Sequence, residues 1–351
     1  MRRRQATLLA ALATGTTALL TFGATGASAS VGAGPDLSSR PLPYQVFAPY
    51  YEMYDTSTDL AALSQQSGAK DLSLAFLQTA APGSCTAYWN GDATKPIASS
   101  SYGADIAAIQ ATGGNVIPSF GGYSADTTGT EIADSCTSVP AIAAVYESLI
   151  TTYHVPRIDM DVEATSLTNT DGINRRNEAI AMVEGWAAAH HRQIQFSYTL
   201  PTFPTGLTTA GLAVLQNAVA DHAKIATVNI MTFDYYLGTQ QDMVADTESA
   251  AAGVFGQLRS LYPWAPAWEL WHTIGVTEMP GIDDFGPAET FSTADAATIL
   301  FWARQHGIGM ISFWALQRDN GGCPGTKGAN ACSGLSQPTW YFSQVFEHFT
   351  R

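Results

Sequence analysis

Three acids on alternate residues, Asp159, Asp161 and Glu163, stand in the stretch "RIDMDVEA" with apolar Ile158, Met160 and Val162 around and between them. Alternation is the strand period, so the three carboxyls share one face of an extended segment, with neighbours about 6–7 Å apart. Like charges at that spacing repel, and burial is unfavourable unless some of them carry protons or accept hydrogen bonds. Such a coupled ladder raises the pKa of its least hydrogen-bonded member, and the chemistry open to it is general acid catalysis. Glu163 has the longest arm and the outermost place. It is expected to hold a proton near neutral pH and deliver it to a leaving-group oxygen. Asp161 should sit behind it and Asp159 deepest, sharing a proton with Asp161. A calcium site is the rival use of clustered acids, but calcium loops have Gly and Asn spacing rather than alternating Ile, Met and Val. No metal and no other cofactor is expected.

A buried strand must carry that ladder, and the chain supplies strand-like segments in series. They are "YQVFAPY" (44–50), "DLSLAFL" (71–77), "NVIPSFGG" (115–122), "RIDMDVE" (157–163), "IQFSYTL" (194–200), "ATVNIMTF" (226–233), "HTIGVT" (272–277) and "GMISFWAL" (309–316). Ala-rich amphipathic stretches such as "TDLAALSQQSGA" and "NEAIAMVEGWAAAHH" lie between them, and "PTWYFSQVFEHF" (338–349) would be the last helix. Eight strands each followed by a helix predict an α/β fold, a single (β/α)8 (TIM) barrel over residues 44–351. The rival, an open doubly wound sheet, often carries a Gly-rich phosphate turn after its first strand, and none is present here. In a barrel the acids end strand four at the C-terminal rim, where barrel sites are built. Ser119, Asp234 and Trp314 reach the same rim from other strands.

Residues 1–29 read as a signal peptide: Arg2, Arg3 and Arg4, then an apolar run, then "ASA" ending at Ala29. Residues 30–43 read as a flexible lead-in, and the protein is expected to be secreted. Loss of the three arginines would take the net charge from -14 to -17, with only 13% of residues charged. An acidic, dilute surface disfavours nucleic acid and anionic membranes and suits a neutral substrate; a monomer is expected. Four cysteines allow three pairings. Cys323 and Cys332 bracket the Gly-rich "PGTKGANA" and should pair locally, leaving Cys85 with Cys136. Zinc is disfavoured, since no C-x-x-C or His cluster is present.

The residues then point to a family. "DMDVE" resembles the D-x-D-x-E end of the signature of family-18 glycoside hydrolases, the chitinases and endo-β-N-acetylglucosaminidases. "SFGG" (119–122) resembles the S-x-G-G of strand three, "MTFDYY" (231–236) the M-x-Y-D of strand six, and Trp314 the tryptophan flooring the sugar site. "SYTLPTFPTGLT" and "RDNGGCPG" look like the secreted bacterial chitinases. The resemblance implies retaining, substrate-assisted hydrolysis of β-1,4 bonds between N-acetylglucosamine units. Glu163 would be the acid/base, Asp161 would orient the acetamido group, and Asp159 would tune Asp161. Phe76, Ser119, Tyr198, Met231, Asp234, Tyr235 and Trp314 are the implied substrate contacts, and chitin or another N-acetylglucosamine-containing glycan the partner. Two positions depart from the pattern. Pro156 replaces the signature's first Asp, and Phe233 replaces the Tyr whose hydroxyl bonds the acetamido oxygen, a contact that Tyr235 or Tyr198 could supply. An endo-β-N-acetylglucosaminidase acting on N-glycans and a non-catalytic chitin-binding barrel are the alternatives; the presence of Glu163 favours an enzyme. Trp89, Trp264, Trp268 and Trp271 are either sugar-stacking or packing residues.

Overall fold

A computed structural model describes residues 40–55 and 59–350, so the signal peptide and most of the lead-in expected from the sequence lie outside the described residues. The main sheet runs in the order Val46–Phe47, Met310–Phe313, Ile274–Glu278, Thr227–Met231, Gln195–Phe203, Arg157–Asp161, Asn115–Gly121, Asp71–Thr79, Tyr50–Glu52. Every one of these pairings is parallel. The first and last segments are two halves of one strand, separated only by Ala48 and Pro49, so eight strands close into a barrel. Pro49 has no N–H to give to a ladder, which is why the first strand is interrupted.

Each strand is followed by a helix, from Leu60–Ser67 after strand one to Tyr341–Phe346 after strand eight. Local chemistry sets their ends. The Asp59 carboxylate accepts from the Ala62 N–H at the start of the first helix, and Gly68, at φ 79°, ends it. Among the described residues no helix is long and apolar enough to cross a membrane. Disulfides join Cys85 to Cys136 and Cys323 to Cys332.

The apolar core lies between barrel and helices, built from outward-facing strand residues such as Ile158, Met160, Val162, Phe196 and Tyr198. The barrel interior differs. Its lower layer holds Val46, Ala48, Ile117 and Met310. Above that come polar side chains, Ser73, Ser119, Asp159, Ser197, Thr199, Asn229, Thr277 and Ser312, all buried. The sequence thus reserves one face of several strands for hydrogen bonding, and that polar layer carries the site.

Candidate active site

Register explains how Asp159 tolerates burial. It pairs with Ser119 on strand three and Ser197 on strand five, so both hydroxyls share its face. Ser119 donates to Oδ2 at 2.7 Å and Ser197 to Oδ1 at 2.7 Å. Tyr50, from strand one, donates to Oδ2 at 2.9 Å, and Thr199 lies 2.9 Å from Oδ1. Burial pushes the Asp159 carboxyl above the usual range, and these four hydroxyls pull it back. The hydrogen bonds of Asp159 therefore come from hydroxyls. The proton sharing with Asp161 expected from the sequence is absent from them.

Asp161 is as deeply buried but less well served: its Oδ1 has no hydrogen-bond partner. Burial first, then the charges of Glu163, Asp159 and Asp126, push its carboxyl well above the ordinary value. Glu163 stands two residues past it, beyond the last ladder residue but still in extended backbone (φ -129°, ψ -177°). Burial raises it to about 7, against the main-chain N–H of Tyr123, which favours the charged form. An acid with that pKa holds its proton for much of the time at neutral pH and gives it up readily.

The two glycines of "SFGG" make room for this arrangement. A Cβ on Gly121 (φ 101°) would stand 2.0 Å from the Asp161 carbonyl oxygen, and one on Gly122 (φ 82°) 2.4 Å from the Phe76 ring. The close approach lets the Gly122 N–H donate to that carbonyl at 3.1 Å, locking strands three and four together at the rim.

The acids open into a cavity of about 940 Å³. Asp161, Glu163, Phe76, Met231, Asp234 and Trp314 line it, as do Tyr50, Glu52, Tyr54, Tyr123, Phe233, Tyr236 and Asp284. Trp314 and Phe76 stack at its floor, their ring centroids 5.6 Å apart and 15° from coplanar. Five carboxyl side chains and no Lys, Arg or His stand among its lining residues. Glu52, buried beside the Tyr54 hydroxyl, is itself raised to about 7 by burial. Asp234 is raised to about 6, by burial and then by Asp284.

Three expected substrate contacts do not reach the cavity. Ser119 is fully buried and spends its hydroxyl on Asp159. Tyr198 pairs with Met160, on the outward parity of strand five, and its hydroxyl donates to Asn177 in the helix layer at 2.8 Å. The Tyr235 ring packs in the apolar core, because Asp234 takes a left-handed turn (φ 52°) that redirects the chain. Neither Tyr235 nor Tyr198 can therefore replace the hydroxyl missing at Phe233; the tyrosines at the cavity are Tyr50, Tyr54, Tyr123 and Tyr236. Trp89 is buried with its Nε1–H on the Tyr153 hydroxyl, and Trp271 stacks on Phe255. Trp264 and Trp268 are exposed but lie outside the cavity. No motif announces Tyr50 and Glu52 at the cavity, but strand parity from Val46 through Ala48 puts both inward.

Among the described residues, Asp234, Asp283 and Glu289 bring carboxylate oxygens within 4.8 Å of one another. Main-chain N–H groups of Asp234 and Gly286 already serve Asp283, and those of Tyr235 and Leu237 serve Glu289. A hydrogen bond joins the Asp283 and Glu289 side chains, with burial raising both. The group shapes the loop after strand six, which carries Asp234 and Tyr236 to the cavity.

No protein-family model matches the chain. A protein of Escherichia coli K12 named probable bifunctional chitinase/lysozyme is 32% identical over 323 residues, 88% of this chain and 35% of that one. Endochitinase 11 of Metarhizium anisopliae is 31% identical over 290 residues, 79% of this chain and 53% of its own. The chain thus spans between a third and about half the length of these relatives. The crystal structure of the catalytic domain of a hyperthermophilic chitinase from Pyrococcus furiosus superposes with a TM-score of 0.77 at 28% identity, over 89% of this chain and 97% of that one. Catalytic-site mutants of active domain 2 of a thermostable chitinase from Pyrococcus furiosus, solved in complex with chito-oligosaccharides, superpose with a TM-score of 0.76 at 28% identity. With the acidic ladder, the "SFGG" turn and the Trp314 floor in place along the barrel, the chain is similar in sequence and fold to these chitinases, in keeping with its resemblance to the family-18 glycoside hydrolases.

Proposed function

We propose that the protein is an exported chitinase, cleaving β-1,4 bonds between N-acetylglucosamine units with retention. The observation that carries this reading is Glu163: a half-buried carboxyl raised to about 7, at the edge of a cavity floored by Trp314, with Asp161, its Oδ1 bare, beneath it. Glu163 protonates the glycosidic oxygen. A two-carboxylate retaining mechanism needs its nucleophile about 5–5.5 Å from the acid, across the sugar ring. Asp161 lies on the same strand, below Glu163, better placed for the acetamido N–H than for the anomeric carbon. The substrate's own acetamido oxygen then attacks the anomeric carbon, and Asp161 stabilises the oxazolinium ion so formed. Water opens that ion with Glu163 as base. Asp159, held by its four hydroxyls, keeps Asp161 in place.

A cavity with five carboxyls and no basic side chain repels polyanions and suits a neutral sugar polymer. Both disulfides fit an oxidising compartment and so support export. The test is a paired assay: release of sugar from colloidal chitin beside release of glycan from a high-mannose glycoprotein. Sugar from chitin alone is the expected result. Glycan release without chitin cleavage would assign the barrel to N-glycans instead.

A further inference from the structure

Glu163 lies beyond the strand-four ladder, whose last register pairs are Asp161 with Gly121 and with Thr199. The Leu167 N–H donates to its carbonyl at 3.2 Å, and two further contacts that hold it come from one short helix, Tyr123–Thr128, directly after "SFGG". At the start of this helix the Tyr123 N–H faces the Glu163 carboxyl. In its middle, Asp126 is wholly buried and does two things. Its Oδ2 accepts the main-chain N–H of Glu163, and its carbonyl oxygen accepts the hydroxyl of Thr165. One residue thus grips the turn 163–165 at both ends, across Ala164, whose φ is 40°.

The Ala125 carbonyl of this helix accepts the main-chain N–H groups of Thr130 and Glu131. Glu131 caps the next helix and pairs with Arg176 at 2.8 Å. Asp134 accepts from Ser166 and Asn169 in the loop that continues from Glu163. Asp126, which feels the charges of Glu131 and Arg176, therefore stands between that buried ion pair and the turn that bears the acid.

Resting on the functional reading above, we propose that Asp126 is a positioning residue for Glu163. It fixes the direction of the carboxyl toward the scissile oxygen by holding the main-chain N–H of the same residue. The side chain acts as a neutral hydrogen-bond acceptor. Burial and the charge of Glu131 push Asp126 up to about 9, with the Glu163 N–H and Arg176 working against them and the charge of Glu163 adding to the rise. An amide oxygen can do the same work; a hydrocarbon cannot. Misplacing a catalytic group by about 1 Å can cost about 100-fold in rate.

The experiment measures kcat and KM for N-acetylglucosamine tetramer in wild type, Asp126→Leu, Asp126→Asn and Thr165→Val, with circular dichroism on each. Asp126→Leu should lose about 30-fold or more in kcat per folded molecule with KM within about three-fold, the signature of a misdirected acid rather than of lost binding. Asp126→Asn should stay within about five-fold of wild type, and Thr165→Val, on an exposed residue, should lose several-fold in kcat alone. If Asp126→Leu does not fold, the other two variants decide. Undiminished kcat in Thr165→Val, or in folded Asp126→Leu, overturns the assignment. So does an Asp126→Asn variant as damaged as Asp126→Leu, which would mean that the acid and not the acceptor matters. Wild-type protein that leaves the tetramer intact removes the functional reading itself, a result distinct from all of these.

Discussion

Asp159, Asp161 and Glu163 share one face of the same short segment, yet each has a different protonation chemistry, and the difference lies in what surrounds it. Four hydroxyls stabilise charge on Asp159; Asp161 has a bare oxygen; Glu163 borders the cavity. Glu163→Gln keeps the shape and removes the proton, so turnover should fall by about 10²–10⁴-fold with the circular dichroism spectrum unchanged. A folded variant retaining more than about a tenth of wild-type turnover would contradict the role. If the proposed oxazolinium ion forms, Asp161→Asn should be nearly as damaging, because that ion would lose its counter-charge. Since the acid must be protonated to act and is raised to about 7, kcat should decline as pH rises through about 7. A turnover profile flat from pH 6 to about 9 would contradict that assignment. The alternation of these acids was legible because a period of two is a local property of sequence. The faces of Ser119, Tyr198 and Tyr235 were not, since a motif places a residue on a strand or loop without saying which way it points. Strand parity would have sent Tyr198 outward with Met160. Nothing local announces the left-handed turn at Asp234 that carries Tyr235 into the core.

At the scale of elements, seven of the eight strands appear where hydrophobic runs put them, within a few residues. The first is divided at Pro49, a break the missing N–H explains. What the runs do not show is the short structure between them: Ala87–Trp89 antiparallel to strand two, Gly206–Leu207 against strand five, and the Gly281–Ile282 and Thr290–Phe291 pair. Glu52, Tyr236 and Asp284 come to the cavity from strand ends and loops of this kind, and Tyr123 from the start of a short helix, where side-chain direction depends on contacts distant in sequence. The two disulfides tie such connections down. Cys85–Cys136 closes a separation of 51 residues and Cys323–Cys332 one of 9. In the chain-entropy account the longer bridge contributes about 4 kcal/mol and the shorter somewhat under 3 kcal/mol. Urea unfolding of the paired Cys→Ala variants should therefore show the larger loss for Cys85 and Cys136. An equal or reversed order would refute that ranking.

Across the whole molecule, many acids are held neutral by burial. Glu52 and Asp71 are raised to about 7, Glu278 to about 8 and Asp126 to about 9. Unfolded, such carboxyls titrate near pH 4. Their folded values lie higher, so the native chain binds more protons between these limits. The stability this gives is complete below about pH 4 and is lost as pH rises through the folded values. The melting temperature should accordingly fall from pH 5 to about pH 9, and a rise over that range would show that these groups are charged in the native state. The same proton-rich interior suits the proposed mechanism, in which the acid arrives protonated and the substrate brings its own nucleophile. One comparison tests the proposed nucleophile directly. Initial rates are measured on fully acetylated and fully deacetylated tetramers of the same β-1,4 sugar. If the acetamido oxygen is the nucleophile, the acetylated tetramer is cleaved and the deacetylated one is not. Comparable rates on both would mean that the protein supplies the nucleophile itself.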